Sequence, residues 1–153
     1  MEAIIVWTNK ARSLSCAVLY PFLAPAKIND DVLRRLQKIF NGLEPFKVEF
    51  SHTQWFGDQV LWLAPEPDFA FRQLTDALCR EFPDLLPYGG TISDPTPHLT
   101  VADGSPIKLM RDAESRVKAQ LPIPVHISGV SVMVGSNEIG SWRTVTEIPL
   151  TQT

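Results

Sequence analysis

The sequence predicts an α+β domain of two similar lobes, and three observations predict it. Short apolar segments with strand-like alternation recur along the chain, punctuated by Gly, Pro, Asn and Asp. Segments with helical spacing stand between them. The order strand, helix, strand, turn, strand then occurs twice, from about 15 to 64 and from about 98 to 149. A doubled unit implies a pseudo-twofold axis with a central cleft between equivalent strands.

Each element has its own warrant. Met1-Glu2-Ala3-Ile4-Ile5-Val6-Trp7 reads as a strand, and Val18-Leu19-Tyr20-Pro21-Phe22 ends another. Asn29 or Asp30 caps a helix whose apolar positions are Val32, Leu33, Leu36, Ile39 and Phe40, with Gly42 as its stop. Phe46–Phe50 alternates as a strand, and Phe56-Gly57-Asp58 turns into Val60–Leu63, its hairpin partner. A helix from about Phe69 to Phe82 carries Phe71, Leu74, Leu78 and Phe82 along one stripe. After a loop from Pro83 to Pro97 come strand His98–Ala102, a helix from about Pro106 to Gln120, one strand from Pro124 to Val134, and a return over Trp142–Ile148.

Composition narrows the class. The 153 residues fit one domain, 1–153, with 44% hydrophobic and 20% charged residues. A formal charge of −3 argues against a strongly basic nucleic-acid-coating surface. No apolar run approaches the roughly 20 residues that span a bilayer, and the acidic start is too short for a signal peptide. Two cysteines without C-x-x-C spacing indicate neither a disulfide framework nor a zinc knuckle. The expectation is a cytoplasmic protein with no membrane contact.

The chemistry concentrates in Pro97-His98-Leu99-Thr100-Val101-Ala102. Alternation along a strand puts His98 and Thr100 on one face about 7 Å apart. An imidazole moves protons near neutral pH, and a hydroxyl donates to an anion. If the two halves superpose, the positions matching His98 and Thr100 are Ser15 and Ala17. Serine cannot exchange a proton as imidazole does, and alanine offers no donor.

Several segments in order now identify a resemblance: Val18–Phe22, Trp55-Phe56-Gly57, Val60–Pro67, Pro87-Tyr88-Gly89-Gly90, Pro97–Ala102 and Gly140-Ser141-Trp142-Arg143. Over nearly its whole length the chain resembles the two-histidine (2H) phosphoesterase superfamily, in its bacterial 2'-5' RNA ligase-like branch. The resemblance implies two His-x-Thr/Ser motifs facing each other across a cleft, one histidine as general base and the other as general acid. It implies cleavage of 2',3'-cyclic or 2'-5' phosphodiesters with no metal and no cofactor, at a nucleotide or RNA terminus. By residue match only His98 and Thr100 inherit those roles, His98 as catalytic and Thr100 as phosphate-binding. Ser15-Cys16-Ala17 stands where the first motif belongs, and the segment from Thr8 to Leu14 is short where relatives place a helix.

Other candidates are weighed against blander roles. His52 and Thr53 face opposite sides of a strand and cannot form the motif. His126-Ile127-Ser128 has the spacing, but the repeat puts it on a lateral strand. Arg143 offers a guanidinium to a phosphate, and Tyr88 or Tyr20 a ring to a base. Cys16 faces away from the cleft if its strand is regular. Three functions follow: a slowed phosphoesterase, a degenerate module that binds a nucleotide or RNA end, or an interaction protein with a vestigial cleft.

Overall fold

The computed structural model describes residues 1–9, 14–20, 22–86, 90, 96–138 and 140–151, with positions 8, 9 and 14–16 described through their backbone. Two four-stranded antiparallel sheets share the strands. The first has the order β2-β1-β7-β8, with β1 over Glu2–Asn9, β2 over Leu14–Leu19, β7 over Gly129–Gly135 and β8 over Arg143–Pro149. The second has the order β5-β4-β3-β6, with β3 over Phe46–Phe56, β4 over Val60–Glu66, β5 over Leu99–Asp103 and β6 over Ile123–Ile127. The α+β class and the strand–helix–strand units therefore stand.

Helix α1 (Asp30–Phe40) starts where the capping residue dictates. The Asn29 Oδ1 accepts from the Val32 N–H at 3.0 Å, and Asp30 and Asp31 favour the positive end of the helix. Val32, Leu36 and Phe40 are its buried stripe. Helix α2 (Phe69–Glu81) buries Phe71, Leu74 and Leu78, the stripe expected from spacing. Helix α3 (Ile107–Lys118) buries Met110, packs Val117 against the core and adds a polar contact, the Trp55 indole donating to Glu114 at 2.9 Å. Burial alone would raise the Glu114 carboxyl, but hydrogen bonds with Thr53 and Trp55, with Lys118 and Arg111 beside it, outweigh that and hold it below the usual carboxylate range.

The core joins the two sheets. Trp7 of β1 stacks on Phe50 of β3 at 5.7 Å and lies 5.5 Å from Phe71 of α2, ring centre to ring centre. Burying an aromatic side chain is worth roughly 1.5–3 kcal/mol, so this seam fixes one sheet upon the other.

Two expectations need correction. The strand expected from Pro124 to Val134 is two strands: β6 pairs with β3, and after Ser128 the chain crosses so that β7 pairs with β1. Within the segment only the Ser128-Gly129 step marks that change of partner. The doubled element order also differs from the spatial correspondence. In its sheet, β4 sits beside edge strand β5 as β1 sits beside edge strand β2, whereas β8 lies at the opposite edge.

Candidate active site

His98 immediately precedes β5, which begins at Leu99 rather than at the histidine. Leu99 is buried among core residues and Thr100 is exposed, so the alternation that separates His98 and Thr100 from the core holds. The His98 Nδ1 lies 2.7 Å from the Thr96 carbonyl. A carbonyl only accepts, so Nδ1 carries the proton and Nε2 presents its lone pair. The imidazole is further held edge-on against Phe56, at 5.3 Å and 88°, and Trp62, at 5.8 Å and 71°. Ring orientation and tautomer are thus both fixed.

The backbone of the two edge strands follows one pattern. On β5, Ala102 pairs with Leu61 and Thr100 with Trp62, leaving Val101 as an extra residue. On β2, Leu19 pairs with Ile5 and Ala17 with Val6, leaving Val18 as an extra residue. Each is a β-bulge, one added residue in one strand of an antiparallel pair. Thr100 and Ala17 therefore hold the same position relative to their bulges, and so do His98 and Ser15 two residues earlier. The neighbours match as well. Leu63 pairs with Leu99 as Trp7 pairs with Cys16. Edge strands β2 and β5 come within 8 Å of each other, Cα to Cα, without joining in one sheet.

The bulge on β2 has a support of its own. The Thr75 hydroxyl of α2 donates to the Val18 carbonyl at 2.7 Å, with the Phe71 carbonyl at 3.3 Å. A bulge leaves backbone groups outside the ladder, and a side-chain donor meets this one.

The remaining candidates are dispersed. Thr8 and Ser15 are paired through their backbone on β1 and β2. Arg143 is exposed at the start of β8, with β7 and β1 between it and β2. Tyr88 lies outside the described residues. His126 is exposed on β6, with β3 and β4 between it and β5, roughly 14 Å away at ordinary strand spacing. His52 is on β3 and its Nδ1 lies 2.8 Å from Glu66 Oε1. The Tyr20 hydroxyl donates to Glu2, and that hydrogen bond, then burial and the charge of Glu2, raise its pKa. Hollows of about 430 and 470 Å³ flank β3, lined by His126 and by His52 respectively, and neither includes His98.

Two residues at this site escaped the reading of the sequence. Phe56 and Trp62 stack at 4.7 Å and 21°, and both touch the imidazole. A bulge at Ser51 brings Phe56 there, since Phe50 pairs with Pro65 while His52 pairs with Ala64. Even positions Val48 and Phe50 face the core before it, and even positions His52, Gln54 and Phe56 are exposed after it. For Trp62 a signal existed: it alternates with Leu61 and Leu63, so it faces away from the side those leucines bury.

Two sheets of an α+β fold that present edge strands of matched register, one with a fixed imidazole and a hydroxyl at its start, are the frame of a 2H phosphoesterase-like protein. A family model described as the 2'-5' RNA ligase superfamily matches residues 17–138, and the chain belongs to that superfamily. The match begins at Ala17, so Ser15 falls before it. No curated protein matches the sequence. Among solved structures, TT0787 of Thermus thermophilus is 13% identical with a TM-score of 0.72, over 99% of both chains. LigT of E. coli, solved in complex with 3'-AMP, is 14% identical with a TM-score of 0.58, over 99% of this chain and 98% of that one. At such identity the likeness is one of fold.

Proposed function

We propose that this chain recognises a 2',3'-cyclic or 2'-5' phosphodiester at a nucleotide or RNA terminus and cleaves it slowly, with His98 as its single acid–base group. The cleft runs between β2 and β5, related by a pseudo-twofold axis. Thr100 donates to a phosphate oxygen, and Ser15 keeps one hydroxyl on the opposite strand. Arg143 enters only through the reach of its side chain, and Tyr88 remains a candidate from the sequence alone. The observation that supports this reading is the pair of matched bulges, at Val18 and Val101, which gives Ser15 and Ala17 the register of His98 and Thr100.

Opening a 2',3'-cyclic phosphate needs one proton taken from the attacking water and one given to the departing 2'-oxygen. The His98 Nε2 serves one transfer, and solvent must serve the other. Loss of one positioned acid or base typically costs about 10²–10⁴-fold. Ser15→His combined with Ala17→Thr should therefore raise hydrolysis of 2',3'-cyclic AMP by up to that factor, and a further His98→Ala should remove the gain. If the native chain turned over freely and His98→Ala left the rate unchanged, the reading would be wrong.

A second reading, a binding module without turnover, is favoured by Ala17, which has no hydroxyl for the phosphate. LigT has been solved with phosphate as well as with 3'-AMP, which supports a phosphate-bearing ligand for either reading. A ligand that binds in a His98-dependent way and is recovered intact after prolonged incubation would favour the module.

A further inference from the structure

We propose that Phe56, seated on Trp62 beside His98, is a stacking platform for the nucleobase of the nucleotide whose phosphate lies against His98 and Thr100. The inference rests on the reading above, that this face takes a nucleotide phosphate, and adds where its base goes.

Phe56 ends β3 and is 41% exposed, whereas Phe22, Phe40, Phe50, Phe71 and Phe82 are all buried. Its ring lies nearly parallel to the Trp62 indole, 21° apart at 4.7 Å. A parallel seat covers one flat face, so the exposure belongs to the other face and the edges. The same ring stands 5.3 Å from the imidazole and perpendicular to it. In a nucleotide a sugar separates base from phosphate, and this spacing suits a base on Phe56 when the phosphate meets the histidine.

The layer beneath is firm. Trp62 is 8% exposed and pairs with Thr100 across the ladder, so the indole and the phosphate-side hydroxyl share one face of the sheet. A flat ring fixed under a second flat ring is what sequence-tolerant base recognition uses.

Charge bears on which end of the ligand lies here. At the far end of the hairpin Asp58 stands in the turn, and Asp103 pairs with Val60. Two carboxylates repel a further phosphate there and accept from the amino group of a base. A mononucleotide or a 3'-terminal residue fits, with its base toward the acidic end and its phosphate toward His98.

The test is a titration of the full chain with 3'-AMP and, in parallel, with ribose 5-phosphate, which carries the charge and sugar but no base. Alanine substitution of a base-stacking ring typically costs about 1–3 kcal/mol, of which roughly 1.4 is tenfold. The native protein should hold 3'-AMP about tenfold more tightly than ribose 5-phosphate. Phe56 also holds the imidazole, so the ratio of the two affinities is the readout: Phe56→Leu should bring that ratio to about one, and Phe56→Tyr should restore it. A Phe56→Leu protein that still prefers 3'-AMP overturns the platform but not the phosphate site. Equal affinity of the native chain for both ligands does the same. Failure of the native chain to bind either ligand overturns both readings, and an unchanged melting temperature shows that Phe56→Leu is folded.

Discussion

Edge strands β2 and β5 share a backbone and differ in their chemistry. Each lies at the rim of a four-stranded sheet, carries one extra valine, and pairs the residue before that valine with its neighbour in the same way. On β5 that residue is Thr100 with His98 two positions earlier; on β2 it is Ala17 with Ser15 two positions earlier. The bulge is a backbone feature, held by register and by packing beneath, and it survives any change in outward-facing side chains. Proton transfer depends on two atoms that nothing in the fold requires. A scaffold and its chemistry therefore part company at one strand and stay together at the other.

The largest effect should come from exchanging the two outward pairs. Restoring the motif on β2 as described above should change turnover by about 10²–10⁴-fold, and the converse, His98→Ser with Thr100→Ala, should abolish phosphate binding by making β5 equivalent to β2. Calorimetry with inorganic phosphate checks the second change. Retained binding would mean that the ligand is held elsewhere.

The residues beneath the two strands allow a finer comparison. Trp7 and Leu63 stand in matched register, but Trp7 also stacks across the seam on Phe50 and Phe71. Trp7→Ala should cost about 4 kcal/mol and Leu63→Ala about 3, within the ranges usual for aromatic and leucine truncations. Equal losses in urea unfolding would show that the seam adds nothing.

Next in size is the support given to one bulge. Thr75→Val keeps the shape and removes the donor to the Val18 carbonyl, and should cost about 1–2 kcal/mol. Hydrogen exchange should accelerate along β2 and not along β5, whereas equal acceleration in both would break the assignment. The smallest effect concerns α3. Glu114 has its carboxyl held below the usual 4.5, so the stability it gives is fully present above that value and is lost as pH falls through the lowered one. Glu114→Gln should therefore flatten the fall of melting temperature with acid below about pH 4.5 and change its value near neutrality far less.

Much of this architecture is legible in the sequence because burial writes it there. The stripe Val32, Leu36, Phe40 and the Asn29 cap place α1, and Phe71, Leu74, Leu78 place α2. The separation of His98 and Thr100 from the core follows from alternation alone. The bulges at Val18, Val101 and Ser51 are not legible, since an inserted residue looks like its neighbours until its partner strand is known. Phe56 joins His98 only because the Ser51 bulge reverses the faces of β3, so half of the aromatic wall was hidden for the same reason. The crossing leaves only the Ser128-Gly129 step as a mark, because pairing with β3 and pairing with β1 both demand apolar alternation.

That crossing also bears on how the chain can be altered. One residue, Ser128, separates β6 in one sheet from β7 in the other, and its carbonyl accepts from the Leu150 N–H at 2.9 Å. The next position is tight for a side chain, because a Cβ on Gly129 would come to 3.0 Å from the Ile148 carbonyl oxygen and the backbone would have to give. Loops elsewhere tolerate added length, since a longer loop costs little entropy. Here an insertion would slacken the tie between sheets and let the distance between β2 and β5 drift. The tolerance of this protein to lengthening should thus be lowest at a point remote in sequence from both edge strands.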